Sequence, residues 1–264
     1  MSIEKCTSII LSTTPFRESS LLLYLFTREH GRIHALAKGI RKGDRRGVPV
    51  ERGYLIEHMT YMRPHRDLQQ VTDCHIREHF PAIRGDLEKT AVRDVLFDLA
   101  LGAIKVTDPH PELFDYMAGF LGMLERMCPG GGALLLHLSK MIFGFAGHLG
   151  VGVDFSGCGR CGKSFGEHGT AWLTIDRGMV RCDDCSPTQA RTDRFLPGSI
   201  AAFFGCFGEP DSFPPPRLTD KESMGVLRLA CEYCRYHLDI RRHLESLSFI
   251  EQLLAPAAST AKQR

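Results

Sequence analysis

Five short segments at the start of the chain are rich in aliphatic, aromatic and β-branched residues and are separated by polar, turn-prone sequence. They read TSIIL, SLLLYLF, GRIHALAKGI, GYLIEHMTYM and LQQVTDCHI. Five strands within residues 1–80 predict a small closed barrel such as an OB-fold, which binds oligonucleotides on one face. An SH3-like barrel would leave a similar pattern, so strand number alone leaves both architectures open.

After residue 80 the apolar residues recur with helical spacing. One predicted helix begins at Pro109 or Pro111, since proline is favoured in the first turn. A later helix begins at Thr219, which forms a capping box with Glu222. The region after residue 80 is therefore predicted to be a helical domain.

The cysteines fall into three CxxC pairs and four single residues, which are Cys6, Cys74, Cys128 and Cys206. We expect the single cysteines to be small buried hydrophobes. Cys231 and Cys234 share one helical stripe with Leu227 and Leu238, so this pair is expected to face a core.

The remaining two pairs follow a zinc-site spacing. Cys158, Cys161, Cys182 and Cys185 form C-x2-C-x20-C-x2-C, with 20 residues between the pairs. Between them, AWLTI and GMVRC are predicted strands joined by a turn at residues 176–178, which would bring the second pair back to the first. Four thiolates fill the tetrahedral coordination of zinc, so the pattern predicts a structural zinc ribbon.

Two other interpretations compete for these cysteines. CGRC resembles the redox CxxC of thioredoxin-like proteins, but nothing around it predicts the βαβ frame of that fold. A zinc deaminase needs H-x-E followed by P-C-x-x-C. His110-Pro111-Glu112 matches the first half, but neither Cys158 nor Cys182 follows a proline, and four thiolates leave no position for a catalytic water.

We therefore predict an α+β fold of two domains. Residues 1–80 form an OB-fold-like, nucleic-acid-binding barrel, and residues 81–264 form an α-helical domain. The four-cysteine zinc ribbon is an insertion in the helical domain at about residues 154–190.

Charge singles out one segment of a chain whose net charge is only +2. Residues 28–52 hold eight basic against three acidic residues, most densely in KGIRKGDRRG. Lysine and arginine clusters attract phosphate backbones whatever the base sequence, although a charged loop is as often only solvated. Among nearby aromatic residues, Tyr24, Phe26 and Tyr54 could stack on bases but are more typical of a barrel core. The chain has no run of apolar residues long enough for a membrane span and no apolar signal region, so we expect a cytoplasmic protein.

The order of these parts resembles the RecO family of bacterial recombinational repair proteins. The matching stretches are LLLYLFTREHGRIHALAKGIRKGDRR, DPHPELFDYM, GCGRCG with GMVRCDDC, and RRHLESLSF. The first stretch and the cysteine quartet are the most specific. The chain lacks the proline often found before the first cysteine, and its net charge is modest for a DNA-binding protein.

The resemblance implies a DNA-binding protein and not an enzyme. It implies that the chain binds single- and double-stranded DNA, anneals single strands, and helps load RecA onto strands coated by the single-strand binding protein SSB. RecR and the C-terminal tail of SSB are the implied partners, and the nucleoid is the implied location. By the same resemblance, the DNA-binding residues are Lys38, Arg41, Lys42, Arg45 and Arg46, and the metal serves folding.

A second function class fits the same features. A zinc ribbon beside an OB-fold also occurs in nucleic-acid- or protein-interaction modules of transcription or translation. Acceleration of strand annealing separates the two, since only a recombination mediator is expected to show it.

Overall fold

The computed structural model describes residues 2–40, 50–63, 66–105, 108–128, 130–166, 169–186, 193–206 and 214–254. The chain divides into two compact units, of which the first holds Met1–Arg93 with Ala100–Met127 and the second Asp94–Leu99 with Cys128–Arg264. The domain boundary at residue 80 stays a prediction. Among the described helices, none has the length and apolar character needed to cross a membrane.

The first unit begins with a closed five-stranded barrel. Its strands are β1 (Ser2–Phe16), β2 (Ser20–Thr27), β3 (Gly31–Ala37), β4 (Leu55–Met62) and β5 (Leu68–Glu78). They are hydrogen-bonded in the order β1-β2-β3-β5-β4. The pairing of β3 with β5 is parallel and the others are antiparallel. All five predicted strands are present, and the α+β fold with an OB-fold-like barrel is confirmed.

The helices follow the barrel. They are α1 (Pro81–Arg84), α2 (Leu87–Ala103), α3 (Pro111–Arg126), α4 (Gly131–His148), α5 (Gly198–Gly205), α6 (Asp220–His237) and α7 (Glu245–Leu253). Pro111 occupies the first turn of α3, as predicted. The Thr219–Glu222 capping box is formed at the start of α6.

Buried and more exposed positions alternate along β3 and β4, and buried apolar side chains fill the barrel. Ile10, Leu23, Leu25, Ile33 and Ile56 belong to one buried cluster inside it. Long aliphatic side chains on alternate positions exclude water from a small barrel, so this cluster is the main source of its stability.

Helix α3 packs against the barrel within the first unit. The Phe26 and Phe114 rings are 5.7 Å apart, and Arg28 donates two hydrogen bonds to the Asp115 carboxylate at 2.9 and 2.8 Å. Gly31 has a φ of +68°, and a Cβ there would lie 2.0 Å from the carbonyl oxygen of Asp108. Only glycine permits this close approach.

In the second unit, α4 and α6 pack side by side. A Cβ at Gly132 would lie 2.5 Å from Ser223 Oγ, so the two helices meet closely at this point. Cys231 and Cys234 are 1% and 0% exposed, which confirms that this pair faces the core.

The prediction for the single cysteines was right for only part of the set. Cys6 is buried and Cys74 is half-buried, but Cys128 and Cys206 are exposed. Cys128 follows the C-cap of α3 and Cys206 is the C-cap of α5. A side chain at the end of a helix need not lie on the face that the helix buries. The prediction used residue type alone and therefore missed the exposure of Cys128 and Cys206.

A polar chain is buried inside the barrel. His58 Nε2 lies 2.7 Å from Ser8 Oγ, and His58 Nδ1 lies 2.6 Å from Thr60 Oγ1. All three side chains are buried. A neutral imidazole has one donor and one acceptor nitrogen, so the two hydroxyl groups satisfy it without a charge. Desolvation lowers the pKa of His58 to about 4.

We predict that His58 makes the barrel sensitive to acid. Its pKa is lower in the folded protein than the value of about 6.5 in an unfolded chain, so its contribution to stability is complete above pH 6.5. That contribution is lost as the pH falls towards 4, and it amounts to about 2 kcal/mol between pH 7.5 and pH 5. Urea unfolding at the two pH values should show that His58→Gln loses about 2 kcal/mol less than wild type over this interval.

The exposed His75, whose side chain is 73% accessible, supplies the control on the same barrel. Between pH 7.5 and pH 5, the free energy of unfolding of His75→Gln should fall by the same amount as that of wild type. If the free energy of unfolding fell equally in His58→Gln and in wild type, His58 would not be the source of the acid sensitivity.

Candidate metal centre and nucleic-acid interface

The cysteine quartet lies in a small three-stranded sheet of the second unit. Its strands are β6 (Thr170–Thr174), β7 (Met179–Cys182) and β8 (Asp193–Pro197), in the order β7-β6-β8. β6 and β7 form the predicted hairpin, with Thr174 opposite Met179 and Gly178 at a φ of +61° in the turn. Sequence reasoning missed β8, because DRFLP is short and its apolar residues do not alternate.

The hairpin brings the four predicted sulfur atoms together. The Sγ atoms of Cys158, Cys161, Cys182 and Cys185 all lie within 4.8 Å of one another. Cys161 Sγ and Cys182 Sγ are 3.7 Å apart. A disulfide would need about 2.0 Å, whereas tetrahedral zinc thiolates with Zn–S of about 2.3 Å place neighbouring sulfurs about 3.8 Å apart. The spacing fits ligands of one metal ion.

Local backbone hydrogen bonds shape the first cysteine turn. Gly162 N donates to Cys158 O at 2.8 Å, and Cys158 N donates to Lys163 O at 2.8 Å. Gly162 has a φ of +75°, which favours glycine where the turn reverses. Gly159 N donates to Val180 O at 2.8 Å and so ties this turn to β7. Phe165 packs against the cysteines, a contact that the sequence pattern did not indicate.

The thiols of the quartet differ in acidity. Desolvation opposes ionisation of Cys158, but backbone hydrogen bonds near Cys182, Cys161 and Arg160 outweigh it and lower its pKa to about 6. Hydrogen bonding to Cys161 and desolvation raise the pKa of Cys185 to about 12. One thiolate therefore forms readily, whereas the raised pKa values of Cys182 and Cys185 show that these two thiols resist ionisation beside it. A divalent cation removes that resistance, so the donor set fits a metal ion.

Helix α6 holds the ribbon in place within the second unit. Tyr233 Oη donates to Val151 O at 2.9 Å, and His237 Nε2 donates to Ile175 O at 2.7 Å. Arg194 on β8 donates two hydrogen bonds to the Glu232 carboxylate, at 3.2 and 2.6 Å. Hydrogen bonds with α6 therefore hold the segments around the candidate metal site, in addition to the bonds within the first cysteine turn.

Among the described residues, the H-x-E match belongs to no group placed to hold a metal ion. His110 is the N-cap of α3 and lies 3.2 Å from Asp108 Oδ2. In the part of the chain that the structure describes, the cysteine quartet is the group of His, Cys, Asp or Glu side chains placed to hold a metal ion. Neither His110 nor Glu112 belongs to it.

The predicted DNA-binding residues fall at the end of β3. Lys38 is exposed in the turn that follows this strand. The other four, Arg41, Lys42, Arg45 and Arg46, lie outside the described residues. Their role stays a prediction.

The three aromatic candidates divide between core and surface. Phe26 and Tyr54 are buried, as expected for a barrel core. Tyr24 is half-buried, and its ring lies 4.7 Å from the ring of His34. Tyr24 therefore stands apart as the candidate whose ring is partly open to solvent.

Family models cover both parts of the chain. The model described as "Recombination protein O N terminal" matches residues 1–80, and "Recombination protein O C terminal" matches residues 84–244. The chain belongs to the RecO family. The resemblance drawn from the barrel pattern and the cysteine quartet is confirmed.

Relatives named "DNA repair protein RecO" match this RecO-family chain over most of its length. The protein of Anaeromyxobacter dehalogenans strain 2CP-C is 30% identical over 199 residues, which cover 75% of this chain and 76% of that protein. The protein of Syntrophobacter fumaroxidans is 26% identical over 255 residues, or 96% of this chain and 98% of that protein. The protein of Pelobacter propionicus is 28% identical over 263 residues, with the same two shares. The chain is therefore a RecO-family DNA repair protein.

We predict one metal ion per chain, held by the quartet. Cys182→Ser should release the metal and destabilise the ribbon, because metal binding and local folding are one equilibrium. Elemental analysis of the purified protein by mass spectrometry measures this directly.

The buried Cys231 provides the matched control, since Cys231→Ser removes a thiol from α6 and leaves the quartet intact. This variant should keep its metal. Less than half a metal ion per wild-type chain, with all four quartet thiols freely titratable, would refute the site.

Proposed function

We propose that this RecO-family chain is a recombination mediator that binds and anneals single-stranded DNA through its N-terminal barrel. The observation that carries the proposal is the closed five-stranded barrel with an exposed Lys38 at the start of the basic segment KGIRKGDRR. A barrel of this type offers one face to an oligonucleotide, and lysine and arginine beside that face attract the phosphates. Double-stranded DNA is bound by the same electrostatic attraction.

The proposed partners follow from the family. RecR and the C-terminal tail of SSB are the docking partners, and RecA is loaded onto SSB-coated strands with their help. This work takes place at the nucleoid in the cytoplasm. Family membership favours this function over an interaction module of transcription or translation.

The metal of the quartet is proposed to be zinc with a structural role. An all-thiolate donor set is typical of structural zinc, and four protein ligands leave no position for a reacting water. When bound, zinc neutralises the thiolates and links the two cysteine turns. The same closed arrangement argues that the chain is not an enzyme, and the glycines of KGIRKGDRRG do not have the order of a phosphate-cradling P-loop.

Replacement of Arg41, Lys42, Arg45 and Arg46 by alanine tests the proposed interface. Wild type should accelerate the annealing of complementary strands, and the quadruple variant should lose most of that acceleration. Each phosphate contact contributes about 0.7 to the log–log salt dependence of single-strand binding, so the variant should lose roughly 2 to 3 from the slope. A fluorescence-anisotropy salt series with a labelled oligonucleotide measures the slope. A strand-annealing assay measures the acceleration.

A quadruple alanine variant in the second unit controls for net charge. Its positions, all exposed, are Arg217, Lys221, Arg241 and Arg242. It removes the same charge and should keep a slope close to that of wild type. Equal slopes for wild type and the Arg41 to Arg46 variant would show that the basic segment is only a solvated loop.

A further inference from the structure

A cavity of about 280 Å³ lies in the first unit, where the chain enters β4 and leaves β5. Its wall includes Glu51, Arg52 and Tyr54 before β4, His79 after β5, Arg84 at the end of α1, and Arg93 on α2. Leu55 at the start of β4 pairs with Glu78 at the end of β5, which brings these segments together. Of these residues, Tyr54 was considered from the sequence as a stacking candidate, whereas His79, Arg84 and Arg93 were not singled out.

Basic side chains outnumber acidic ones on the cavity wall. Three guanidinium groups line it against a single carboxylate, that of Glu51. Arg84 Nη2 donates to Glu51 Oε1 at 2.8 Å, and Arg84 Nη1 donates to Tyr54 Oη at 3.1 Å. These two bonds hold the Arg84 guanidinium at the cavity although 55% of its side chain is exposed.

Arg93 is placed by the backbone beneath it. Gly53 has a φ of +95°, and a Cβ there would lie 2.9 Å from Arg93 Nη1. Arg93 Nη1 donates to the carbonyl oxygen of Arg52 at 3.3 Å. Gly53 N donates to Ile10 O at 2.8 Å, so the segment that receives Arg93 is itself tied to β1. The Arg93 guanidinium therefore lies over a fixed backbone at the cavity wall.

Guanidinium groups match the oxygen atoms of a phosphate with planar, paired hydrogen bonds. The cavity has room for a phosphate group with part of an attached sugar. The Tyr54 and His79 rings at its wall lie 6.2 Å apart. The wall also continues the proposed DNA-binding segment along the chain, because Glu51 and Arg52 follow Arg46 by five and six positions.

We infer that this cavity is a phosphate-binding site, and that its ligand is a backbone phosphate of single-stranded DNA. The source of the phosphate rests on the proposed function, whereas the chemistry of the site rests on the arginines alone. In the absence of ligand, Glu51 neutralises Arg84, so an incoming phosphate competes with this carboxylate. Glu51→Gln therefore strengthens phosphate binding, an effect that damage to the fold would not produce.

The first arm of the test uses inorganic phosphate without DNA. Phosphate raises the stability of proteins generally, so the readout is the excess rise in melting temperature over chloride at equal ionic strength, compared between variants. Wild type should show a larger excess than Arg84→Ala, and Glu51→Gln should show the largest. Arg77→Ala is the matched control, because Arg77 is 56% exposed and faces Glu57 at 3.9 Å on the barrel.

The second arm uses an oligothymidylate. Loss of one phosphate contact flattens the single-strand salt slope by about 0.7 and weakens binding about fivefold at 0.1 M salt. Arg84→Ala should show both changes, Arg77→Ala neither, and Glu51→Gln should bind more tightly than wild type.

The outcomes separate the inference from the proposed function. An excess stabilisation by phosphate that is the same in wild type and Arg84→Ala would overturn the site. In another outcome, wild type binds oligothymidylate while Arg84→Ala weakens only the response to phosphate and leaves DNA binding unchanged. That result would assign the site to a free phosphate or nucleotide and overturn single-stranded DNA as the source of the phosphate. A wild type that binds no oligothymidylate would refute the proposed function, and the phosphate arm would still decide the chemistry of the cavity.

Discussion

The barrel depends on one long strand that pairs with two neighbours. The first part of β1 pairs with β4 from Ser2 to Ile9, and the later part pairs with β2 from Ser8 to Phe16. The register shifts between Ile10 and Ser12, and such a bulge bends a strand and increases its twist. The bend lets β1 serve both neighbours, and the parallel pairing of β3 with β5 then closes the circle. Closure gives each of the five described strands a hydrogen-bonded neighbour on both sides.

Closure also fixes the places where chemistry is proposed. The turn with Lys38 follows β3, which is held on one side by β2 and on the other by β5. The segment Glu51–Tyr54 is tied to β1 by the bonds between Ile10 and both Gly53 and Tyr54. The described residues before and after positions 41–49 are therefore held by the same barrel.

The ribbon of the second unit is stabilised in a different way. A few apolar residues, such as Ala171 and Leu173, are buried beneath its short strands. The four sulfurs are placed to hold one metal ion, and such an ion would link turns that a small sheet cannot hold together alone. Contacts from α6 to Ile175 and to β8 fix the ribbon on the helical part of that unit.

The sequence allowed the five barrel strands, the capped helices and the cysteine quartet to be predicted, since each depends on local patterns. Long-range pairings were not accessible in the same way. The parallel pairing of β3 with β5 and the addition of β8 to the ribbon depend on contacts between distant segments. Cys128 and Cys206 were misplaced because exposure at a helix end is set by geometry and not by residue type. The arginine-lined cavity joins residues from four separate segments of the chain, so no spacing rule could reveal it.

The barrel unit is proposed to carry the DNA interface. Hydrogen–deuterium exchange of the full chain with and without a short oligothymidylate tests it most directly, since bound DNA slows exchange where it covers the backbone. We expect slowed exchange in peptides from residues 31–54 and 79–93 and unchanged exchange in residues 158–185. Slowed exchange confined to residues 158–185, with the barrel unaffected, would contradict it.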